Sequence, residues 1–385
     1  IKLSNRGYSF YIISCEKRTK YKLHKNKIRS ICNINNITWH PINYSEGIPV
    51  VSALFNIQKI KIKTQEICKN QNIKMIHARS YIPAIIALEI KEKLGIKFLF
   101  DMRGFWPDER VDGKIWNIKE FPFKQVYKYF KRKEIEFILN ADHIISLTNN
   151  AKEEIKSWEI TKNRISEISV IPCCADLNHF KYDNISTQHI NNFRLKLNLR
   201  PNDFVLTYLG SIGSWYLLEE MLDFFKILLK TKPNAKFLFI TKDSPESVLK
   251  TVRLKRISEK SILITPSERE ELPSLLSLST ASVFFIAPSY SKKASSPTKM
   301  AELLAMGIPI ICNANVGDSN YFLNLENCGT LIKELNEKHY EDAITKLDKL
   351  VSIPKQDLFK ISEKHFSLSM GAEIFLNSYN KICEK

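Results

Sequence analysis

The chain has 385 residues, which is too long for one ordinary hydrophobic core and fits two domains. Hydrophobic residues make up 44% and charged residues 26% of it, as in an ordinary globular protein. No window approaches about eighteen uncharged apolar residues, so the sequence predicts no membrane-spanning helix.

The formal net charge of +17 is strongly basic. One explanation is compositional, because Lys, Asn and Ile are abundant throughout the chain. The other is attraction to phosphate, in a nucleotide, a lipid head group or a nucleic acid, and the two explanations are compatible. No nucleic-acid-binding motif is present, so we expect no nucleic-acid partner.

The eight cysteines are scattered, with one adjacent pair at Cys173 and Cys174 and no C-x-x-C spacing. This pattern disfavours zinc fingers, thioredoxin chemistry and a secreted disulfide framework, and it suggests a reducing cytoplasm as the location. His residues do not lie at metal-ligand spacing from carboxylates, and no Asp-x-Asp occurs. We therefore expect no metal site.

Short β-rich runs alternate with longer helical patterns in the first half of the chain. Several runs are almost continuously apolar, as expected for parallel strands covered on both faces. The predicted strands are 10–14, 37–42, 73–78, 96–101, 143–148 and 168–172. The predicted helices include 52–70, 81–94 and 119–139. Such alternation indicates right-handed crossovers and a doubly wound α/β sheet.

Residues 181–203 are polar and rich in Asn, and they are predicted to be a linker between domains. The strand–helix pattern then resumes. Further strands are predicted at 204–210, 235–241, 262–265, 282–287, 308–312 and 329–332, and further helices at 215–231, 336–351 and 355–383. The sequence thus predicts two α/β domains in series, over 1–190 and 200–367.

The start of the chain lacks the strand and glycine turn that normally open a doubly wound domain. Residues 1–7 instead have the pattern of a helix tail that ends at Gly7. We therefore expect that a first strand and part of a helix precede Ile1.

Two segments of the second half have the features of an anion site. In residues 210–216 (GSIGSWY), glycines that follow a strand allow the backbone to approach a ligand at a helix N-terminus, although a plain tight turn fits as well. In residues 293–311 (KASSPTKMAELLAMGIPII), Ser296 is the expected N-cap, and Lys299 lies at the positive end of the helix dipole. A phosphate bound there would make the position of the positive charge of Lys299 favourable. The alternative is that Lys299 and Glu302 are solvated on an exposed face of the helix.

The candidate ligand-binding residues of the second half are the hydroxyl, glycine and charged positions of these segments, together with two that follow other strands: Gly210, Ser211, Gly213, Ser214, Lys242, Thr265, Ser295, Ser296, Thr298, Lys299 and Glu302. Glu302 comes one turn after Thr298, on the side where it can accept hydrogen bonds from a ribose diol.

Two segments of the first half place polar residues after predicted strands. Residues 77–81 (HARSY) contain His77, although a lone His at a strand end is more often a satisfied structural residue. Residues 101–116 combine many charges with Trp106 and Trp116, which suggests a sugar or phosphate pocket, with an ion-paired surface loop as the alternative. The candidate ligand-binding residues of the first half are Arg79, Trp106, Asp108, Glu109 and Arg110.

These segments together resemble the family 4 glycosyltransferases of the GT-B fold over nearly the whole chain. SSPTKMAELLAMGIPII looks like the donor segment of that family, in which the last Glu of a Glu-x7-Glu motif binds the ribose, here Glu302. The first Glu of the motif is replaced by Ala294. An Arg and a Lys that often follow the glycine loop are also absent here, and Lys299 is placed to supply the missing charge.

The resemblance implies two Rossmann-like domains that face each other across a cleft, and a terminal helix, 368–385, that crosses back to the first domain. It also implies a retaining glycosyltransferase of the hexosyltransferase type that acts on a UDP- or GDP-linked sugar without a cofactor. His77, Arg103 and Lys299 would then serve the reaction. The candidate residues of the second half would bind the donor, and those of the first half would contact the acceptor. HARSYIPA and FDMRGFWPDERVDGKIW resemble a bacterial branch that builds surface polysaccharides, so the implied acceptor is a saccharide or a lipid-linked saccharide.

Two alternatives to a transferase stay open: a GT-B sugar-nucleotide epimerase, and an inactive or fragmentary relative that acts as a binding protein. The predicted helix 119–139 also has two interpretations. Its aromatic residues Phe123, Tyr127 and Phe130, with many lysines, could rest on an anionic membrane as a peripheral contact, or they could face the sheet.

Overall fold

The structure, a computed structural model, describes residues 1–162, 164–213 and 215–384. Strands and helices alternate along it, and all the strand pairs that it describes are parallel, which confirms the predicted α/β class. The strands are β1 (Phe10–Glu16), β2 (Ile37–Asn43), β3 (Met75–Arg79), β4 (Lys97–Asp101), β5 (His143–Ser146), β6 (Ile168–Val170), β7 (Val205–Leu209), β8 (Lys236–Ile240), β9 (Ile262–Thr265), β10 (Ala281–Phe284), β11 (Ile310–Asn313) and β12 (Gly329–Ile332).

The helices follow the strands as crossover elements. They are α1 (Arg18–Ile34), α2 (Pro49–Asn70), α3 (Tyr81–Leu94), α4 (Trp106–Asp112), α5 (Phe123–Asn140), α6 (Asn149–Ser157), α7 (Thr187–Lys196), α8 (Leu218–Thr231), α9 (Pro245–Leu254), α10 (Leu272–Leu276), α11 (Thr298–Ala305), α12 (Ser319–Glu326), α13 (Glu337–Thr345), α14 (Leu347–Val351), α15 (Lys355–Phe366) and α16 (Leu368–Cys383).

The second half of the chain forms a six-stranded sheet in the order β12-β11-β10-β7-β8-β9. Every residue of β7, β10 and β11 is buried, which explains why these strands are apolar runs rather than alternating ones. α8 contributes an apolar face to this core, because Met221, Leu222, Phe225 and Leu228 recur at helical spacing and are all buried.

The first half contains a four-stranded sheet, β3-β4-β5-β6, and a separate pair, β1-β2. β5 is wholly buried, whereas Ile37 is the one residue of β1 and β2 that is buried. The strand expected before Ile1 stays a prediction.

The predicted linker 181–203 contains a helix that the sequence analysis missed, α7. Ile190, Phe193 and Leu197 recur at helical spacing and pack against the core of the second half. This segment therefore belongs structurally to the C-terminal sheet.

The terminal helix α16 packs against the N-terminal sheet, where Tyr379 and Ile382 contact Leu99, Ile145 and Ile171. None of the described helices is long and apolar enough to cross a membrane.

The aromatic stripe predicted on α5 faces inward. Phe130 is buried and its ring lies 4.9 Å from that of Trp106, while the Tyr127 hydroxyl donates to Asp108 at 2.8 Å. The core-facing interpretation of 119–139 therefore fits the structure, because these two rings are already occupied in packing.

Candidate active site

The donor-side helix α11 begins at Thr298, one residue later than predicted, with Pro297 in the N-cap position. The hydroxyl of Ser296 is engaged elsewhere, because its Oγ accepts a hydrogen bond from the backbone N–H of Cys173 at 3.0 Å. Ser296 therefore ties the donor segment to the connection between the two sheets. Gly307, with φ of +67°, follows the C-cap residue Met306 at the end of the helix.

The side chain of Lys299 lies buried beneath the glycine loop, with 7% of the residue exposed. Its Nζ lies 3.6 Å from the ring centre of Tyr216 and 4.3 Å from that of Tyr208, and it has no hydrogen-bond partner among the described residues. Burial lowers the pKa of Lys299 to about 7, against a smaller opposing effect of Glu302. The lysine is therefore a buried cation held by aromatic faces, with its donors free for an anion.

Gly210 permits this approach between the loop and the lysine. Its φ is +121°, and a Cβ built at this position would lie 3.1 Å from Lys299 Nζ. The first glycine of the predicted loop and the predicted cation are thus brought together, at the carboxyl end of β7.

Glu302 lies in the same region, half-buried on α11. Burial raises the pKa of its carboxyl group, while the positive charges of Arg269 and Lys299 act in the opposite direction. Arg269 is a basic residue near the site that the sequence analysis missed. The available signal was its place four residues after the end of β9, at the same sheet edge as the glycine loop.

A pocket of about 230 Å³ opens at this edge, where β7, β8 and β9 end. Its walls include Gly210, Ser211, Lys242 and Arg269. Lys242 is exposed and already pairs with Glu268 at 2.7 Å. A second pocket, of about 380 Å³, lies at the opposite ends of the strands, around Phe204 and Thr280, away from all the predicted site residues.

The other donor-side positions that the structure describes are not among the residues that line this pocket. Gly213 is exposed with φ of +114°, and Ser214 lies outside the described residues. Thr265 is buried at the end of β9, and its hydroxyl donates to Pro266 O at 3.1 Å. Thr298 is exposed and Ser295 is half-buried, so both flank the helix N-terminus.

Arg103 lies at the junction of the two halves. It has an uncommon φ of +60°, and its Nη2 lies 3.6 Å from Cys173 Sγ. The next residue, Gly104, approaches the donor segment, because a Cβ built there would lie 3.6 Å from Ala294 O. The loop after β4 thus meets the segment that precedes α11, which is compatible with a role for Arg103 at the sugar end.

His77 is engaged by the terminal helix. Its Nδ1 lies 2.7 Å from the Tyr379 hydroxyl, and its Nε2 lies 3.4 Å from Asp101 Oδ2. Its ring also packs against Phe375 with centroids 5.3 Å apart. This is the arrangement of a satisfied polar residue that joins the sheet to α16, and the catalytic role of His77 stays a prediction.

Most acceptor-side candidates hold α4 in place through contacts with neighbouring side chains. Asp108 is buried and accepts from Tyr127 and from Lys131 Nζ at 2.9 Å. Trp106 packs between other rings, with the guanidinium of Arg110 stacked on it at 5.3 Å. Arg79 is exposed at the end of β3.

Glu109 takes part in a contact between the two halves that we call the interdomain clasp, formed by Glu109, Gly113, Trp215 and Lys292. Lys292 is 4% exposed, and its Nζ lies 3.5 Å from the ring centre of Trp215 and 3.2 Å from Glu109 Oε1. A Cβ on Gly113 would lie 2.4 Å from Trp215 Cζ2. The clasp joins α4 to the glycine loop and to the segment before α11.

Further contacts surround the clasp. The backbone N–H of Ser291 donates to Asp112 at 3.0 Å, and Asp318 accepts from the N–H groups of Asn149 and Asn150 at 2.7 and 3.0 Å. Asp318 thus caps α6 from the other half of the chain. These contacts hold the two halves of the chain together beside the donor segment.

The described residues contain no group of three or more His, Cys, Asp or Glu side chains that could hold a metal ion. The positive charge of the candidate site comes from Lys299 and Arg269, and from the N-terminus of α11.

Two protein-family models match this chain, one in each half. The model of Glycosyltransferase Family 4 matches residues 2–179, and that of Glycosyl transferases group 1 matches residues 189–356. None of the curated proteins matches the chain significantly.

Several solved structures share the fold at low sequence identity. A glycosyltransferase from Rickettsia africae superposes with a TM-score of 0.68 at 17% identity, over 99% of this chain and 92% of that one. Sucrose-phosphate synthase from Thermosynechococcus elongatus gives 0.68 at 16% identity, over 89% and 83%. Anabaena HepE in complex with UDP-glucose gives 0.64 at 11% identity, over 96% and 99%.

The two family models together span almost the whole chain, and the neighbours show the GT-B fold that the sequence resemblance implies. The chain belongs to the family 4 glycosyltransferases of the GT-B fold and is a glycosyltransferase.

Proposed function

We propose that the protein transfers a hexosyl group from a nucleoside-diphosphate sugar to a saccharide or lipid-linked acceptor, with retention of configuration, in the synthesis of a surface polysaccharide. The observation that carries the donor assignment is Lys299, a buried cation without a hydrogen-bond partner among the described residues, placed between the glycine loop and α11. A diphosphate at this position would receive charge-assisted hydrogen bonds from it.

The leaving group explains why such a cation is useful. As the glycosidic bond to the donor breaks, negative charge develops on the β-phosphate, and a preorganised cation in a water-poor site stabilises it. The N–H groups at the start of α11 act in the same direction. Lys299 could therefore take the place of a metal ion, in keeping with the expectation that neither a metal nor a cofactor is required.

The proposal of retention rests on the family resemblance and on where the carboxylates lie. Asp108 is buried among Tyr127 and Lys131, and Glu109 pairs with Lys292, so neither is offered as a nucleophile. In the internal-return path, the leaving phosphate oxygen accepts the proton of the acceptor hydroxyl, and no enzyme nucleophile is needed.

The proposed donor is a sugar linked to either UDP or GDP. HepE was solved with UDP and with UDP-glucose, and an E. coli trehalose-6-phosphate protein with UDP-2-fluoro glucose, which supports a UDP-linked hexose for this chain. The pocket beside Gly210 and Arg269 is the proposed place for the nucleotide.

Calorimetric titration with UDP and with GDP tests this donor assignment. One nucleotide should bind, and Lys299→Ala and Glu302→Ala should each weaken it by about 10- to 100-fold, the size expected for charged hydrogen bonds. Lys349→Ala, which removes an exposed lysine of α14, is the control and should bind as the parent protein does. Binding that is indifferent to both site variants would contradict the assignment.

A further inference from the structure

The outward face of α2 is apolar. Ile48, which precedes the helix, is 73% exposed, and Val51, Leu54, Phe55 and Ile62 are 62%, 62%, 56% and 56% exposed. Single exposed apolar residues are ordinary on protein surfaces, but a row of large ones along one helix marks a surface that contacts a partner.

The stripe is on the side of α2 that points away from the protein. Val51, Phe55 and Ile62 are four and seven residues apart and so share one side, whereas the buried positions Ser52 and Asn56 lie on another. The Asn56 side chain is fixed by hydrogen bonds to the N–H and C=O of Ser45, at 2.8 and 2.9 Å. The helix therefore cannot turn its apolar face inward without losing these bonds.

The charge around the stripe is positive. Residues 47–65 contain three lysines and no acidic residue, and Lys59 Nζ lies 4.7 Å from the ring centre of Phe55. Residues 17–45 contain seven Lys or Arg residues and again no acidic one, with Glu16 and Glu46 as the flanking carboxylates. The two segments meet in space, because Lys59 Nζ donates to Ser45 Oγ at 2.7 Å and to Asn43 O at 3.1 Å. The start of α1 lies beside the same strand end, since Lys17 Nζ lies 5.8 Å from the ring centre of Tyr44.

We propose that α2, together with the basic start of α1, lies on the surface of an anionic lipid bilayer, with its apolar stripe in the headgroup region. An apolar stripe flanked by lysines is the pattern that binds such an interface. A second copy of the chain fits less well, because two surfaces of the same positive charge would repel each other.

This inference rests on the proposed function and extends it. α1 and α2 are the helices that follow β1 and β2, so they begin on the side of the carboxyl edge of the parallel strands, where ligands of open α/β sheets are bound. A bilayer held at this edge would present a lipid-linked acceptor to the N-terminal side of the site.

Vesicle flotation at low and high salt is the test. The full chain should float with vesicles that contain phosphatidylglycerol, much less with pure phosphatidylcholine, and less at high salt. Leu54→Ser/Phe55→Ser should lower the vesicle-bound fraction at least about tenfold, because two apolar side chains lose their burial. Leu195→Ser/Leu254→Ser, which changes two leucines that are 79% and 74% exposed on α7 and α9, is the matched control and should float as the parent does.

Nucleotide titration of the same variants separates this inference from the donor assignment. Leu54→Ser/Phe55→Ser should keep its nucleotide affinity while vesicle binding falls. Equal flotation of the parent and this variant would overturn the membrane surface. So would concentration-dependent self-association that the variant abolishes, because it would assign the stripe to a second copy.

Discussion

Replacement of Lys299 by methionine is expected to lower turnover with the nucleotide sugar by about 100-fold or more, the size seen when one preorganised group that stabilises developing charge is removed. Methionine keeps much of the length of the side chain and can pack among Tyr208, Tyr216 and Phe284, so the fold should survive. Initial rates of nucleotide release, measured at saturating donor, give the change. Turnover within about threefold of the parent would contradict the role of Lys299.

The same variant should remove a pH dependence of donor binding. The pKa of free Lys299 is lowered to about 7, and a bound diphosphate favours the protonated form, so nucleotide affinity should fall by up to about tenfold per pH unit above pH 7. Lys299→Met should show no such fall over the range in which the diphosphate stays fully ionised.

Whereas nucleotide affinity falls above pH 7, the stability of the folded protein should rise with pH. Because the folded pKa of Lys299 lies below the unfolded value of 10.5, the unfolded chain binds more protons between about pH 7 and 10.5. The contribution of Lys299 to stability therefore rises with pH across this window. Thermal unfolding of the parent and of Lys299→Met at pH 7 and pH 9 should reveal a rise that the variant lacks.

A single methyl group at Gly113 should disable the interdomain clasp. A Cβ at this position would lie 2.4 Å from Trp215 Cζ2 and 3.0 Å from Glu109 O, and Gly113 does not have a positive φ, so the effect of alanine would be steric. The clash displaces α4 from the glycine loop, and displacements of about 1 Å can cost about 100-fold in rate. We expect kcat/KM to fall by about 10- to 100-fold in Gly113→Ala.

Trp215→Phe provides the test of that mechanism. It removes the ring atoms that meet the new methyl group, so in the double variant the Gly113→Ala change should cost little beyond the effect of Trp215→Phe alone. Steady-state rates of the parent, the two single variants and the double variant give the coupling. Additive losses would show that the contact between Gly113 and Trp215 does not transmit the effect.

The sequence patterns with local physical causes agree well with the structure. Apolar runs such as 204–210 and 282–287 correspond to buried parallel strands, because burial on both faces leaves no alternation to see. Lys299 stood out since a lysine at a helix N-terminus opposes the dipole, and the structure places it against Gly210 of the other predicted loop. Both signals depend on a few neighbouring residues.

The features that were missed depend on contacts distant in the chain. The contact between His77 and Tyr379 joins residues 302 positions apart, so the sequence does not reveal it. Ser296 was expected to cap α11, but the backbone of Cys173 engages its hydroxyl. The nearness of Arg269 to Glu302 likewise arises only when the loop after β9 folds over the donor helix.

The apolar face of α2 was overlooked for a related reason. Val51, Leu54, Phe55 and Ile62 have the composition of core residues, and sequence periodicity cannot say which side of a helix a sheet will cover. The aromatic residues of α5 had two interpretations in the sequence, and in the structure Phe130 is buried and the Tyr127 hydroxyl donates to Asp108. Burial decides which apolar stripe is available to a partner.

Titration of the Lys299 amine by NMR tests the central claim most directly. Protein that contains isotope-labelled lysine, with the Lys299 signal identified by its absence in Lys299→Met, is titrated with and without the nucleotide that binds. The account predicts a pKa near 7 in the free protein that rises by at least about one unit in the complex. A pKa that the nucleotide leaves unchanged would mean that Lys299 does not face the diphosphate.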